Sequence, residues 1–468
     1  MEERDAGWLE KCQKIWKRKT DDTIYKIVIA GAGASGMMAA VSAAKELGSG
    51  EGILLLEKNE AAGKKLLATG NGRCNFTNAR CTSWDYSGAF LNKKASSGFP
   101  EGVLYQAPPK RIMEEFARMG IVSREEEDGR VYPYSGRGVS VCRALLRELE
   151  RLGVGIRYKS ALKKLEPLCQ TAERLGGKQD WRDPDDADFA LMLEDGSSLV
   201  CRRLILATGG KAGLQYGSQG DGYGLAKMAG HTIIKPVPAL VQMSTDHRDF
   251  PRLKGVRAKG RVLLYRGEEK IAEDTGEIQF TEDALSGICI FNLSRCVRYE
   301  GNPMDSGEKY SVKIDFMPGF TAEGICGLLR ARRQNLAHWD ASLFLEGLVH
   351  ENLSAVLMKS CGAGGGKVGD LLEEQLKSLS KELKGFYVKV TGTKSWKDAQ
   401  VTAGGVDTDE VERKTLESRR ISGLYFAGEL LDVDAPCGGY NLQWAFASGI
   451  AAGKAAAQSL AEEERERR

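Results

Sequence analysis

Histidine is scarce in this chain, four among 468 residues, and His231, His247, His338 and His350 show no spacing that suits a metal centre. The eleven cysteines are odd in number and scattered, with no Cys-x-x-Cys, which excludes both a disulfide framework and a zinc-ribbon reading. A reducing, cytoplasmic setting is the expectation. No apolar run reaches the roughly 18 residues a membrane span needs. The charged N-terminus lacks the apolar core of a secretory signal. Charge of one sign is missing as well. The 67 basic and 64 acidic residues leave a net charge of +3, which gives no reason to expect a nucleic-acid or membrane-surface partner.

What is abundant is glycine, 56 residues set in discrete loops and not in low-complexity runs. Such loops suit a backbone that approaches a ligand closely. The length implies two or three packed units. Near the start, Ile24–Ala30 is a short β-branched run of the kind buried on both faces of a parallel sheet. Gly31-Ala32-Gly33-Ala34-Ser35-Gly36 follows at once, then an alanine-rich helical stretch Met37–Leu47, then the apolar Ile53–Leu56 ending in Glu57 and Lys58. The three glycines answer different needs. Gly31 turns the chain out of the strand, Gly33 admits a pyrophosphate, and Gly36 lets helix pack on strand. The helix N-terminus offers N–H groups and a positive dipole end to phosphate. Glu57, 21 positions after Gly36, can accept from ribose hydroxyls. Strand, loop, helix, strand and acid in this order predict a dinucleotide.

Four later segments favour FAD over a nicotinamide nucleotide. One is Gly70-Asn71-Gly72-Arg73-Cys74-Asn75. Leu204–Leu206 runs into the small-residue turn Ala207-Thr208-Gly209-Gly210, and Leu424–Phe426 into Ala427-Gly428-Glu429. Finally Cys437-Gly438-Gly439-Tyr440-Asn441-Leu442 opens a helix expected to run through Ala457. The predicted fold is α/β, a discontinuous Rossmann-like FAD-binding domain of the two-dinucleotide flavoprotein type. Its parts are residues 23–236 and 395–468, around an inserted β-rich and helical substrate domain over 237–394. In the insert, alternating runs at Val262–Tyr265, Glu277–Phe280 and Tyr310–Phe316 precede helical patterns at Ala322–Arg333, Leu343–Lys359 and Val368–Leu383. The glycine run Cys361–Gly366 follows a helical pattern and reads as a loop, so no second dinucleotide motif is visible. Gly155–Tyr158, Phe189–Leu193 and Ser198–Val200 suggest a three-stranded meander over the nucleotide-binding sheet, with a polar insert Gly176–Asp186 and a hairpin turn at Asp195-Gly196. Residues 1–22, with Trp8, Leu9, Cys12, Ile15 and Trp16 on one stripe, suggest a docked helix.

The segments GAGASGMMAA, LLEKNEAAGKKLLATGNGRCNFTN, RVYPYSGRG, ATGG, GSQGDGYGLAKMAGH, VTAGGV and LYFAGELLDVDAPCGGYNLQWAFASG resemble the BaiN/RdsA-type NAD(P)/FAD-dependent oxidoreductases, also called the aminoacetone oxidase family. The resemblance runs from about Tyr25 to Gly453. It implies a flavin domain interrupted by a barrel-like insert with a helical piece. It also implies reduction of a conjugated double bond, as in a bile-acid-like steroid. Gly31, Gly33, Gly36 and Glu57 match the family's nucleotide fingerprint. Lys65, Asn71, Gly72, Arg73, Cys74 and Asn75 match its second flavin motif, and Gly428, Glu429, Gly439, Tyr440, Asn441 and Leu442 its C-terminal one. Where relatives carry three glycines this chain has Gly70-Asn71-Gly72, and asparagine tolerates the same left-handed turn.

Non-covalent FAD, with NAD(P)H as electron donor, would carry the redox chemistry, while the protein orients and tunes it. N–H groups at Gly439–Leu442 can stabilise a reduced, anionic ring. Arg73 has three open roles: phosphate, substrate or a structural carbonyl. Cys74 and Cys437 are read as small thiols filling tight turns, in preference to a redox pair. Reducing an activated alkene needs an acid to protonate the α-carbon, and Tyr440, Tyr134 and Arg137 lie in family motifs near the expected flavin. The favoured function is NAD(P)H-driven reduction of an enone in a hydrophobic small molecule. The alternatives are an amine or amino-ketone oxidase using oxygen, and a flavoprotein scaffold or RNA-modification factor.

Overall fold

The structure, a computed structural model, describes residues 20–88, 98–168, 188–297 and 309–466. The expected helix over Trp8–Trp16 and the insert Gly176–Asp186 lie outside them. Two compact units result. One holds the chain up to Val237 together with Val401 onward, and the other is Pro238–Gln400.

In the first unit β1 (Thr20–Ala30) leads into α1 (Ala34–Leu47) and β2 (Ile53–Leu56). Ile27–Ile29 and all of β2 are buried, as a strand covered on both faces must be. The remaining strands of this sheet are β3 (Gly155–Arg157), β4 (Leu162–Pro167), β5 (Phe189–Leu193), β6 (Ser198–Leu206) and β7 (Leu424–Phe426). Their order is β3-β2-β1-β6-β5-β4, with β7 also on β6. Register explains why distant motifs meet. Ala30 pairs with Leu56 and with Leu206, and Leu206 pairs with Phe426, all in parallel. The residues that follow each strand, Gly31, Glu57, Ala207 and Ala427, therefore emerge at one carboxyl edge, where open α/β sheets bind ligands.

The meander is not a separate layer. β3 runs parallel to β2 at the sheet's edge, and the antiparallel set is β4, β5 and the first half of β6. β6 is nine residues long and serves two partners on one side, β5 against Ser198–Cys201 and β7 against Leu204–Leu206.

The closing helix α2 (Tyr440–Glu466) continues past the expected end at Ala457 and packs along α1. Gly449 and Gly453 are the contact points: a β-carbon on them would lie 2.4 Å from the Ser35 carbonyl oxygen and 2.1 Å from that of Ala39. The equal steps of four make the two helices parallel. Tyr440 then lies about 14 Å along the axis beyond the level of Ser35, at 1.5 Å per residue.

The inserted unit is a seven-stranded antiparallel sheet with a run of helices between its strands Tyr310–Asp315 and Phe386–Val390. Its terminal strands, Phe386–Val390 and Gly392–Thr393, are separated only by Thr391, so the sheet closes on itself as a barrel. Helix Ala322–Asn335 falls where the periodicity put it. The next two start later than the pattern suggested, at Glu351 and Glu373, each preceded by a single 3-10 turn. Gly347 at φ +77 breaks the first stretch, and His350 caps the helix by accepting from the Asn352 N–H. In the second, Gln375 Oε1 accepts from the Leu372 N–H and fixes the new start. Among the described residues no helix is long and apolar enough to cross a membrane.

Candidate functional site

The glycine loop leaving β1 is packed from below and open from above. Gly31 adopts φ +107, and a β-carbon there would lie 2.5 Å from the Ala207 carbonyl oxygen. One on Gly36 would lie 1.8 Å from the Gly31 carbonyl oxygen. Gly33 is different: its φ is −82, and a β-carbon on it meets nothing within 4 Å. Gly33 is the N-cap of α1 and brings no side-chain cap. The first-turn N–H groups of Ala34, Ser35 and Gly36 therefore lack an intrahelical acceptor beside open space, which is a seat for an anion.

Glu57 is buried and braces this loop. Its Oε2 accepts from the Ala32 N–H at 3.1 Å, and its Oε1 accepts from the Asn59 N–H at 2.8 Å and the Asn59 side-chain amide at 2.7 Å. A carboxylate has further lone pairs for ribose hydroxyls. Lys58 is committed to an ion pair with Asp221. The turn after β6 has Gly209 at φ +74, and Thr208 Oγ1 is buried against Gly222 without a hydrogen-bond partner. Gly428 at φ +74 presses on Ser35, whose Oγ would lie 2.5 Å from an added β-carbon.

Glu429 spends both oxygens on protein groups. Oε2 accepts from Lys65 Nζ at 2.5 Å and Oε1 from the Thr402 N–H at 2.7 Å. Thr402 is a residue that sequence reasoning missed, although its motif VTAGGV was in view. It is fully buried, and its Oγ1 accepts from the N–H groups of Lys211 and Ala212 at 2.8 and 3.0 Å.

A second group of motifs converges at the start of α2. Gly70, Asn71 and Gly72 take φ values of +56, +54 and +82, so asparagine does occupy the left-handed turn. Gly138 backs onto this turn, with Gly72 O 3.1 Å from an added β-carbon. Arg73 lies 4.0 Å over the Tyr132 ring and pairs with Glu126, which draws that carboxyl below its usual range. Cys74 is fully buried at φ +60, and burial pushes its thiol up to about 12, so it stays a neutral thiol. No disulfide joins Cys74 to Cys437.

Asn75 Oδ1 accepts from the Val131 N–H at 3.1 Å. Asn78 Nδ2 donates to Gly438 O at 2.8 Å, and Thr77 Oγ1 lies 2.6 Å from Gln443 Oε1. Gly439, at φ +98, fits only because it lacks a β-carbon, which would lie 2.4 Å from Thr77 O. Asn441 is occupied within its own loop, accepting from the Ala435 N–H at 3.0 Å and donating to Ala435 O at 2.8 Å. The Tyr86 hydroxyl donates to Tyr440 O at 2.9 Å. Thr77, Asn78, Tyr86 and Gln443 were also missed, although NFTN beside the glycine turn was a signal.

Among the candidate acids, Tyr440 is half-buried, and burial pushes its phenol up, so it is neutral and able to donate. Leu442 is half-buried against the core. Tyr134 is 65% exposed with Arg124 above its ring, and Arg137 is exposed at the N-cap of helix Gly138–Leu152. Of the histidines, His231 is buried against Ser418 and Glu410. Among the described residues no cluster of three or more His, Cys, Asp or Glu could hold a metal ion.

Two helix N-termini face the same side, one beside an open glycine and the other about 14 Å farther along a parallel axis. A long dinucleotide with a ring system at its far end fits this arrangement, and the fold and site define an FAD-dependent oxidoreductase. Residues 25–455 match the family described as the HI0933-like protein Rossmann domain, and the chain belongs to that family. It is 37% identical, over 92% of its length and 99% of the relative's, to a 3-dehydro-bile acid delta(4,6)-reductase of Clostridium scindens. It is 28% and 26% identical to proteins named ribosomal RNA dihydrouridine synthase in Escherichia coli and Haemophilus influenzae, each over 91% of this chain and 96% of the relative.

Proposed function

We propose that this enzyme reduces a carbon–carbon double bond conjugated to a carbonyl in a hydrophobic, steroid-like small molecule, with NAD(P)H as the electron donor and the cytoplasm as its setting. The observation that carries this reading is the 37% identity over nearly the whole chain to a relative named for bile-acid double-bond reduction. Bound FAD would supply the hydride chemistry. Gly31, Gly33, Ala34, Ser35 and Gly36 would seat the pyrophosphate and Glu57 the ribose. Ala207–Gly209, Gly428, Lys65 and Glu429 would line the middle of the cofactor. Asn71–Asn75 and Gly439–Leu442 would frame its ring, the N–H groups of α2 steadying negative charge there. Tyr440 is the acid best placed to protonate the substrate's α-carbon.

A second reading keeps the chemistry and changes the substrate. Dihydrouridine is uridine with a carbonyl-conjugated double bond saturated, and two relatives are named for making it in ribosomal RNA. The deciding experiment is anaerobic rapid mixing of the yellow protein with NADH or NADPH, followed by a steroid enone or by unmodified ribosomal RNA. Bleaching of the flavin band and its recovery on adding the steroid supports the first reading. Recovery only with RNA supports the second. No bleaching by either nucleotide, with dithionite still effective, overturns the nicotinamide-driven reading.

A further inference from the structure

We infer that Thr402 is a positioning residue for the cofactor, holding the Gly209–Ala212 turn in the shape the dinucleotide needs. The inference deepens the FAD reading above and rests on it. Thr402 is the second residue of the strand Val401–Val406, by which the chain re-enters the first unit, and it is fully buried. Its side-chain oxygen accepts two consecutive backbone N–H groups, those of Lys211 and Ala212. Its own N–H goes to Glu429, whose other oxygen takes Lys65. One residue thus joins three segments: the turn after β6, the Gly428–Leu430 turn after β7 and the short helix Lys64–Ala68. Gly210 shows how tightly the join is drawn, since a β-carbon there would lie 2.4 Å from Thr402 Oγ1 and 2.9 Å from Glu429 Oε1. The hydroxyl oxygen, with two lone pairs, satisfies both amides at this spot. Valine has the right shape and leaves two buried donors unmet.

The test compares Thr402→Val with Thr402→Ser by two readouts. Amide hydrogen exchange in the apoprotein reports on Lys211 and Ala212. Titration of apoprotein with FAD, followed by quenching of flavin fluorescence, gives the affinity. Thr402→Val should lose protection at those two amides and bind FAD about ten-fold or more weakly, the loss expected for two hydrogen bonds. Thr402→Ser should keep both properties near wild type. A Thr402→Val protein that binds FAD as wild type overturns the positioning role. So does a Thr402→Ser protein as impaired as Thr402→Val, because the loss would then come from packing. If the wild-type apoprotein takes up no FAD, the cofactor reading itself falls and this inference with it. Should Thr402→Val fail to fold, Thr402→Ala, which removes the same acceptor oxygen, takes its place: protected amides with intact affinity would overturn the positioning role.

Discussion

Gly449 of α2 stands against the Ser35 carbonyl so closely that a β-carbon would approach it to 2.4 Å, and Ser35 is also a first-turn residue of the glycine-loop helix. The helix that frames one end of the site is thus keyed to the helix that frames the other. Gly449→Ala must push α2 away from α1 and shift Tyr440 relative to Ser35. Overpacking of this kind costs about 1–3 kcal/mol. The expected outcome is a lower melting temperature together with loss of bound flavin from the purified protein, checked by calorimetry and by the absorbance ratio of flavin to protein.

Gly33→Ala separates binding from folding. With φ at −82 and no atom within 4 Å of the new β-carbon, the apoprotein should stay within about 0.5 kcal/mol of wild type, as an unstrained surface change does. The added methyl group occupies the space where the pyrophosphate would lie. FAD affinity should fall at least ten-fold in Gly33→Ala and further in Gly33→Val. Equal affinity in all three proteins would show that the dinucleotide does not lie on this loop.

The strand-and-glycine edge of the first sheet was almost entirely legible in the sequence, because apolar strands and glycines report local needs. Gly31 has φ +107, and Gly36 presses on Gly31 and Ala207, so both positions declare themselves in the chain. The left-handed turn at Asn71 was legible for the same reason. What was hidden is long-range. Nothing local in VTAGGV says that its threonine will meet the amides of residues 191 and 190 positions away. Nor does Gly155–Arg157 reveal that it will pair in parallel with β2, since a three-residue strand carries no periodicity to read. Glu429 was expected at the cofactor, but its hydrogen bonds run to Lys65 and Thr402, a choice made by tertiary packing.

Acid lability should come in two steps from the pair His231 and Glu410, whose side chains lie 3.2 Å apart. Burial holds His231 below its ordinary 6.5. The unfolded chain therefore takes up that proton first, and stability declines as pH falls through 6.5. Glu410 is opposed by burial but bonded by Arg420 and by Thr232, which bring it from 4.5 to about 2. Its contribution is complete above 4.5 and is lost as pH falls toward 2. Denaturant unfolding across pH 2–7 should show both declines, and Glu410→Gln should flatten the lower one. A wild-type curve flat from pH 7 to 4.5 would contradict the burial argument for His231.

The proton donor can be tested by splitting the catalytic cycle. Tyr440 opens α2, is half-buried and remains a neutral phenol, whereas Tyr134 is 65% exposed beneath Arg124. Tyr440→Phe removes only the hydroxyl. Reduction of the flavin by NADPH or NADH should proceed at the wild-type rate, because that half of the cycle needs no proton for carbon. Reoxidation by the enone should slow by about 10²–10⁴-fold, the usual worth of a positioned general acid. Tyr134→Phe should leave both phases unchanged, and Arg137→Lys should raise KM more than it lowers kcat if the guanidinium only guides substrate. Double-mixing absorbance at the flavin band reads the two phases separately. A Tyr440→Phe protein that is reoxidised at the wild-type rate would move the acid elsewhere, and slowing of both phases alike would mean that the substitution had disturbed the flavin seat.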